Sequence, residues 1–409
     1  MFRKLLTFEE AKRTVEANFK VLDLGVEEAV LLEAYNRVVG LDVVSPIDLP
    51  SFDTSIVNGY AVNASDTLGA EEEHPVKLRI IGYIGSGESS KIKLSKGEAV
   101  EIAINALIPE GADAVVSIDD CKLEDDNLQV YAAVNSNANL RRIGSDVKKG
   151  TVAVNKGQVL GPSEIGILAA LGLKQVKVQK IPVVAVLSVG NTVSELSKAL
   201  TAGKSYDLNA YVLCTAVIDC GGKPVYFGVV SERKDVVTRI LKTAIDSADM
   251  VIACSDVPSV LEFADLIGKP GIIVNGVAIK PGKSVAIAYV GEKPLFLLPN
   301  NPLAALLTYN LFARSIVQRL AGRPISALRT VVAFAGSKIF SAKGSRTFVM
   351  VKLEFDRSCR LIAEPIEAAG PVSSLAETYG FVEIGENEQF VDLDKEVVVT
   401  LLRGVADRV

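Results

Sequence analysis

The stretch AIKPGKS (278–284) places two lysines three residues apart around a Pro-Gly turn, in an otherwise apolar segment. Gly282 lets the backbone bend closely around a ligand, and Pro281 stiffens the approach to it. The spacing therefore predicts that Lys280 and Lys283 converge on one oxyanion. A surface turn with two solvated lysines is the alternative for such a pair.

The stretch LPNNP (298–302) has a second anion-binding pattern. Asn301 suits the cap position of a helix and Pro302 the first helical position, which leaves backbone N–H groups and the positive helix end facing outward. Helix starts of this kind bind anions. Together with the lysine pair, this start predicts a site for a phosphate-bearing or oxyanion ligand.

An α/β domain must position these stretches. From residue 181, almost continuously apolar strand-like segments such as PVVAVLS alternate with helical segments such as LNAYVLCTAVIDCGG. This alternation predicts a doubly wound, parallel sheet that is covered by helices on both faces. Ligands bind beyond the carboxyl ends of such strands. The loops there are SVGNT (188–192), CSDVPS (254–259), IKPGK (279–283) and LPNNP.

The remaining segments predict helices and a β-rich unit. Thr7 and Glu10 form a capping-box pattern for a first helix, a second helix is expected from Val26 to Val39, and another within 161–173. Between residues 46 and 134, short strand-like pieces are separated by Gly, Asp and Asn turns, which favours a compact β unit.

The segment after residue 323 is predicted to be all-β. In TFVMVKLEF (347–355) every second residue is apolar, at Val349, Val351, Leu353 and Phe355, which indicates one steadily apolar face. We therefore expect a small C-terminal β domain.

Composition argues against several classes of function. The net charge is −5 with no long basic run, so nucleic acid is not an expected partner. The apolar runs are far shorter than the ~20 residues that cross a bilayer, and the five cysteines have no C-x-x-C spacing. We expect a cytoplasmic protein without a membrane partner, a disulfide framework or a zinc site.

Common catalytic and nucleotide-binding motifs are absent from the sequence. His74 is the sole histidine and lies beside Pro75 in an acidic loop, so a Ser-His-Asp or Cys-His mechanism has little basis. Neither G-x-x-x-x-G-K-[ST] nor G-x-G-x-x-G follows a strand. The expected anion must be held in another way.

Motifs along nearly the whole chain resemble the molybdopterin molybdenumtransferases, called MoeA in bacteria and the E-domain of gephyrin in animals. LPSFDTSIVNGYAV (49–62) resembles that family's P-P-F-D-N-S-A-M-D-G-Y-A-V signature, and IPEGADAVV (108–116) its P-x-P-E-G-A-D-A-V-V segment. The stretches RRIGSDVKKG, GPSEIGILAALGL, SYDLNAYVL, AIKPGKS, LPNNPLAAL, GSRTFVMVKL and GPVSSLAETYG follow in the family's order.

The resemblance implies an elongated homodimer of multidomain α/β plus β class. Its expected parts are a helical linking domain (1–45 and 138–180), an inserted β-rich lid (46–137), the doubly wound α/β domain (181–323) and a C-terminal β-barrel (324–409). It also implies a reaction, the hydrolysis of adenylylated molybdopterin with molybdate insertion and AMP release, which uses Mg²⁺. The cleft would lie between the α/β domain of one subunit and the lid of the other.

The resemblance also implies site residues, with no metal ligand assigned. Catalytic positions are expected at Asp53, Asn58 and Asp207, with Asp256 or Glu262 as compensating acids. The expected cofactor contacts are Gly59, Tyr60, Asn209, Lys280, Pro281, Gly282, Lys283, Pro299, Asn301, Pro302, Arg346 and Ser373. As alternatives, Asp53, Gly59 and Tyr60 shape the lid turn, and Asp207 and Asn209 cap the helix after Tyr206.

The sequence departs from the family where metal-assisted phosphoryl chemistry needs carboxylates. Asn58 replaces an Asp, Asn191 and Thr192 replace two acids, and Asn300 replaces a glycine. In CSDVPS, Asp256 and Pro258 are expected to crowd a loop that is glycine-rich in the family.

Three hypotheses follow from these departures. The first is a working enzyme of molybdenum cofactor synthesis. The second is a degenerate relative that binds a pterin, nucleotide or oxyanion, or that assists an active homologue. The third is a scaffold. The missing carboxylates predict very slow magnesium-dependent AMP release.

Overall fold

The computed structural model describes residues 5–20, 22–88, 91–124, 127–256, 268–366 and 370–403. Its first helix, α1 (Phe8–Asn18), begins with the predicted capping box: the main-chain N–H of Glu10 donates to the Thr7 hydroxyl, and that of Thr7 donates to the Glu10 carboxylate. This helix buries Phe8 against the α/β core. The predicted start of the first helix is confirmed.

The predicted helix from Val26 to Val39 is wrong. Residues 26–44 form the strands β1 (Val26–Val30) and β2 (Val43–Val44), with a turn at 31–36. β1 pairs antiparallel with residues 175–179 over five residue pairs. β-Branched valines suit a strand, and this tertiary pairing overrides the helical spacing of the apolar residues.

The predicted β-rich unit is present as a six-stranded sheet. Its strands have the order β7-β4-β6-β5-β9-β8, and apolar clusters are buried around Tyr60 on one face and Ala61 on the other. The bounds of its strands are β4 (Gly59–Val62), β5 (Val76–Ile84), β6 (Glu98–Ile102), β7 (Ala114–Ser117), β8 (Cys121–Glu124) and β9 (Asn127–Val130). The short strand β3 (Thr54–Ser55) precedes this sheet, and 3-10 turns lie at Ala64–Thr67 and Ile118–Asp120.

The following segment returns to the N-terminal strands. It comprises β10 (Leu140–Arg141), β11 (Val152–Val154), α2 (Pro162–Ala170) and β12 (Gln175–Gln179). β10 pairs with β3, β11 with β2 and β12 with β1. The helix expected within 161–173 is therefore confirmed, while the proposed domain boundaries stay predictions.

The α/β part has helices on both faces of a six-stranded sheet of order β16-β13-β17-β21-β20-β18, as predicted. One face packs on α1, α3, α5 and α6, and the other packs on α4. The bounds are β13 (Val183–Val189), β14 (Val193–Ser194), β15 (Ser205–Tyr206), α3 (Leu208–Asp219), β16 (Lys223–Val230), α4 (Lys234–Ser247), β17 (Met250–Cys254), β18 (Pro270–Asn275), β19 (Ile279–Lys280), β20 (Ala286–Val290), β21 (Lys293–Leu298), α5 (Pro302–Thr308), a π-helical turn (Tyr309–Ala313) and α6 (Arg314–Leu320).

The sheet is not parallel throughout, so that part of the prediction is wrong. β16, β13, β17 and β21 are parallel, but β20 pairs antiparallel with both β21 and β18. Gly291 and Glu292 link β20 to β21 directly, and Gly291 has φ +62°. A two-residue connection of this kind permits only an antiparallel hairpin.

The C-terminal part contains the predicted closed β-barrel. The pairings run β24-β25-β22-β28-β26, and β26 returns to β24, which closes a five-stranded ring. The bounds are β22 (Thr330–Ala335), β23 (Ile339–Phe340), β24 (Arg346–Phe355), β25 (Leu361–Pro365), α7 (Pro371–Glu377), β26 (Gly380–Ile384), β27 (Phe390–Val391) and β28 (Glu396–Leu401).

The predicted apolar face of β24 needs a correction. Phe355 is 56% exposed, whereas Phe348 and Met350, on the opposite face, are buried. The ring of Phe348 lies 5.6 Å from that of Phe8, because the barrel packs on α1. Both faces of β24 are therefore apolar along much of the strand. Within the described ranges, no helix has the length and apolar character needed to cross a bilayer.

Candidate active site

The carboxyl ends of β13, β17 and β21 lie side by side because these strands are parallel neighbours. A cavity of about 480 Å³ opens there. Its wall combines hydroxyl and amide groups with apolar ones, and the start of α7 from the C-terminal part closes one side. The lining residues are Ser188, Thr192, Val193, Ser205, Tyr206, Asp207, Leu208, Asn209, Asn300, Pro302, Pro371 and Val372.

Asp207 organises the floor of this cavity. It is 2% exposed and caps α3, where its Oδ1 accepts from the main-chain N–H of Ala210 at 3.1 Å and from the Ser188 hydroxyl at 2.8 Å. Its Oδ2 accepts from the Tyr226 hydroxyl at 2.9 Å. Burial and this hydrogen bond raise the pKa of Tyr226. Asp207 therefore caps α3, as the alternative interpretation predicted. A catalytic role of Asp207 stays a prediction.

Asn209 presents an open acceptor in the same cavity. Its side-chain Nδ2–H donates to the main-chain oxygen of Asn300 at 2.7 Å. Its Oδ1 is buried and has no hydrogen-bond partner among the described residues. Since a buried polar atom without a partner is costly, this oxygen marks a position for a ligand N–H or O–H group. Asn209 does not cap α3, so that alternative is wrong.

Asp256 connects the loops that follow the strands. It is exposed, and its Oδ1 accepts from the Ser284 hydroxyl at 3.2 Å while its Oδ2 accepts from the main-chain N–H of Asn300 at 3.3 Å. The lysine turn is thereby held beside the cavity wall. Pro258 and Glu262 lie outside the described residues.

The lysine turn is also joined to the barrel, which the sequence did not suggest. β19 pairs in parallel with the start of β24. Gly282 has φ +110°, and a Cβ atom there would lie 2.6 Å from the Thr308 side chain, so glycine is required. Lys280 and Lys283 are exposed and make no ion pair with another described residue. Their convergence on one anion stays a prediction.

The predicted helix start in LPNNP is confirmed. Asn301 caps α5, since its side chain accepts from the main-chain N–H of Ala304 at 3.1 Å, and Pro302 is the first helical residue. Pro299 is buried, whereas Asn300 and Pro302 line the cavity. The loop therefore contributes a wall, while the anion-binding roles of Pro299, Asn301 and Pro302 stay predictions.

The expected site residues of the lid make contacts within the protein, and Asp53 joins the lid to the segment that follows it. Asp53 pairs with Arg142 at 2.7 Å and accepts from the main-chain N–H of Ile143 at 2.7 Å. The Asn58 side chain accepts from the main-chain N–H of Ile104 at 2.8 Å. A Cβ on Gly59 would lie 1.9 Å from a main-chain oxygen of β7. These contacts support the alternative that they shape the lid turn.

Tyr60 is 3% exposed and packs in the lid core, where burial, followed by the nearby Glu101, raises the pKa of its hydroxyl. None of the lid residues lines the cavity among the residues that the structure describes.

Large apolar side chains are exposed around Asp53 and Asn58. The hydrogen bonds from the main-chain N–H groups of Ile104 to Asn58 and of Ile143 to Asp53 place these two isoleucines beside the site residues. The main-chain N–H of Ile118 donates to the main-chain oxygen of Asn58. Sequence reasoning missed this patch, although the stretch INAL (104–107), where the resembled family has T-G-A-P, was a signal. The exposed fractions are 63% for Phe52, 43% for Ile104, 52% for Ile118 and 50% for Ile143.

Arg346 and Ser373 make contacts within the protein. The Arg346 guanidinium lies within 3.1 Å of carboxylates of Glu9, Glu383 and Glu386. The Ser373 hydroxyl donates to the main-chain oxygen of Gly370 at 3.1 Å, at the start of α7. Their expected cofactor contacts stay predictions.

The acidic groups around the cavity fit only part of a metal site. The described residues contain no group of three or more His, Cys, Asp or Glu side chains that could hold a metal ion. Both oxygens of Asp207 are engaged, whereas the exposed Asp256 retains free lone pairs. Mg²⁺ needs only one or two carboxylates when substrate phosphates complete its shell. The donor set therefore fits an ion that binds together with the substrate, through Asp256.

Comparisons with known proteins agree with this architecture. Residues 6–172 match the model of the MoeA N-terminal region (domain I and II). A protein from Methanocaldococcus jannaschii that is named a molybdopterin biosynthesis protein is 30% identical over 97% of this chain and 96% of its own length. The chain belongs to the MoeA family. A molybdopterin molybdenumtransferase from Bacillus subtilis is also 30% identical, over 93% of this chain and 90% of its own.

A solved structure extends the MoeA assignment to the whole fold. A molybdopterin biosynthesis MoeA protein from Pyrococcus horikosii superposes with a TM-score of 0.89, at 35% identity, and covers 98% of this chain and 100% of its own. At this coverage the match includes the α/β sheet and the barrel. The expected family membership and the expected fold class are therefore confirmed.

Proposed function

We propose that this MoeA-family chain is an enzyme of molybdenum cofactor biosynthesis that inserts molybdate into adenylylated molybdopterin and releases AMP. Relatives over nearly the whole chain carry the names molybdopterin biosynthesis protein and molybdopterin molybdenumtransferase. These names favour an enzyme over the degenerate relative and the scaffold.

The observation that carries the proposal is the unpartnered Oδ1 of Asn209 in the cavity wall. Among the residues that the structure describes, no lysine or arginine lines the cavity. Such a wall suits the N–H edge of a pterin or purine ring better than a phosphate. The phosphates of the same ligand would extend toward Lys280 and Lys283, which Asp256 and Ser284 hold beside the wall.

Magnesium enters this proposal as an ion that arrives with the substrate. Asp256 would hold it, and a divalent cation bound there would neutralise phosphate charge as AMP leaves. Asp207 would not bind the ion, because its oxygens hold Ser188, Tyr226 and the start of α3.

A homodimer is part of the proposal. The lid residues Asp53 and Asn58 do not line the described cavity, and the lid bears the exposed apolar patch around them. An exposed patch of this kind is typical of an interaction surface. We infer that the lid of a second subunit covers the cavity. Light scattering should give twice the chain mass of 43.5 kDa, and a monomer would contradict this inference.

The proposed location is the cytoplasm. The five cysteines are free, and Cys220 and Cys254 are buried. Unpaired thiols in this number suit a reducing compartment.

Turnover and binding must be measured together. The purified chain is mixed with adenylylated molybdopterin, molybdate and Mg²⁺, and AMP release is followed by chromatography. Binding of molybdopterin is followed by the fluorescence of the pterin, since the chain contains no tryptophan. Binding with AMP release supports the enzyme. Binding without AMP release identifies the degenerate relative, and no binding overturns the proposal.

A further inference from the structure

A second cavity, of about 360 Å³, lies where α1, α6, the connection at 325–328 and the barrel strands β26 and β28 meet. It shares no described lining residue with the cavity at the strand ends. Nothing in the proposed reaction uses it. Its size is near the lower end of small-molecule sites, which span about 300–1,000 Å³.

Two polar atoms in the wall of this cavity lack partners. Arg314 Nε and Gln318 Oε1 are buried and make no hydrogen bond with the described residues. The two residues are four apart on α6 and so lie on one face of the helix. An open donor beside an open acceptor, both buried, is costly without a ligand or water.

Ser326 forms hydrogen bonds with both side chains. Arg314 Nη2 donates to the Ser326 hydroxyl oxygen at 3.3 Å, and Gln318 Nε2 donates to the same oxygen at 2.8 Å. With Nε2 bonded to Ser326, Gln318 Oε1 is left without a partner among the described residues. The Nε and Nη2 edge of Arg314 is the edge that binds carboxylates side-on, and its Nε–H is free.

The π-helical turn at Tyr309–Ala313 directly precedes Arg314. A π turn accommodates one extra residue, which rotates the residues after it by about 100° relative to an uninterrupted helix. Such turns occur frequently at functional sites. Arg314 and Gln318 belong to the helix that follows this turn, and both line the cavity.

The remaining wall is half apolar with charged groups at its edge. Phe8, Leu311 and Phe381 form an apolar side. Lys12 and Glu16 are exposed residues of the lining, and the Lys12 ammonium lies 5.1 Å from the Phe8 ring centre. The cavity therefore offers a cation, an acceptor and an apolar surface together.

We propose that this cavity is a second binding site, for a small organic carboxylate that has an O–H or N–H donor beside the carboxylate and an apolar body. The Arg314 guanidinium binds the carboxylate, Gln318 Oε1 accepts from the adjacent donor, and the apolar body packs on Phe8, Leu311 and Phe381. An apolar α-hydroxy or α-amino acid has this chemistry. The site joins α1, α6 and the barrel, so its occupation stabilises their packing.

A matched set of probes tests this inference on the full chain by calorimetry. L-Phenylalanine and 3-phenyllactate should bind with one site per chain. L-Phenylalaninamide lacks the carboxylate and should bind roughly ten-fold or more weakly, and 3-phenylpropionate lacks the donor and should bind roughly five-fold more weakly. Binding by only the hydroxy or only the amino acid identifies the donor. Equal binding of all four compounds would show that polar recognition is absent.

The Nε–H signal of Arg314 in ¹⁵N nuclear magnetic resonance reports on the site directly, and its loss in Arg314→Lys assigns it. Either acid should move this signal, and an unmoved signal would mean that the cavity holds only water.

Arg314→Lys keeps the charge but loses the bidentate edge, and Gln318→Glu adds a repelling carboxylate. Both should weaken binding roughly ten-fold, with Arg357→Lys, in an exposed turn, as the control. A variant that melts like the native chain and binds equally well would refute the assignment.

Discussion

The side chain of Asn209, in the first turn of α3, donates to the main-chain oxygen of Asn300 at 2.7 Å. This bond connects α3 to the loop before α5. It also determines the orientation of the amide, because the reverse orientation would place two oxygens against each other. Oδ1 therefore faces the cavity as a fixed acceptor.

Asn209→Asp removes the amide donor and adds a negative charge beside the main-chain oxygen of Asn300. We expect molybdopterin binding to weaken at least roughly ten-fold and unfolding free energy to fall by about 1–3 kcal/mol. Fluorescence titration and denaturant unfolding measure these two effects. Asn18→Asp removes a similar amide-to-main-chain bond at the exposed end of α1 and should leave ligand binding unchanged.

The lysine turn gives a separate prediction. Because Lys280 and Lys283 make no ion pair with another described residue, removing either charge should not disturb the fold. Lys280→Ala and Lys283→Ala should each weaken binding of molybdate or of the cofactor's phosphate roughly five-fold or more, and the loss should shrink at high salt. Calorimetry with Lys149→Ala, an exposed lysine on another part of the chain, provides the reference. Unchanged affinity in both variants would exclude the turn from the site.

Local sequence patterns were sufficient for much of the fold. The capping box of Thr7 and Glu10, the Asn301–Pro302 helix start and the apolar strands of the α/β part all have short-range causes, and the structure confirms them. β1 was mistaken for a helix because its identity depends on pairing with residues almost 150 positions later. Its five residues contain no local signal strong enough to decide.

The site was predictable only in part for the same reason. Loop positions after parallel strands follow from topology, so the sequence indicated two of the loops that line the cavity, SVGNT and LPNNP. The partners of Asp207, Asn209 and Asp256 did not follow, because each bond joins loops that are distant in sequence. The resemblance placed Arg346 and Ser373 of the C-terminal part at the site, but it did not predict that β24 holds the lysine turn or that α7 closes the cavity.

Asn191 and Thr192, after β13, replace two acids of the resembled family, and restoring an acid at each position should affect the rate of AMP release differently. Thr192 lines the cavity, whereas the main-chain N–H and side chain of Asn191 bond to Glu232 and Ser231. Thr192→Glu restores a carboxylate to a cavity position where the resembled family has an acid, so magnesium-dependent AMP release should rise roughly ten-fold or more. Asn191→Asp places its charge beside Glu232 and should have little effect. Rate measurements over a magnesium titration distinguish the two, and equal gains would contradict the geometry.

Arg346 connects α1 to the barrel through Glu9, Glu383 and Glu386, and its guanidinium lies 5.1 Å from the Phe8 ring centre. A hydrogen bond from its own main-chain N–H and the contact with Arg346 lower the pKa of Glu386 below 4.5. A carboxyl group whose pKa is lowered in the folded state stabilises the protein fully when the pH is above its unfolded-state pKa. This stabilisation is lost as the pH falls through the folded-state pKa.

Glu386→Gln should therefore lower the melting temperature at pH 7, where the native carboxylate is charged and bonded to Arg346. The difference between native chain and variant should shrink as the pH falls below 4.5 and vanish below the folded-state pKa of Glu386. Thermal unfolding from pH 7 down to the acid range measures it. Glu396→Gln, at an exposed position on β28, corrects for the general loss of a negative charge. A difference that stays constant across this range would mean that Glu386 acts through packing, because a packing contribution does not depend on the charge of the carboxylate.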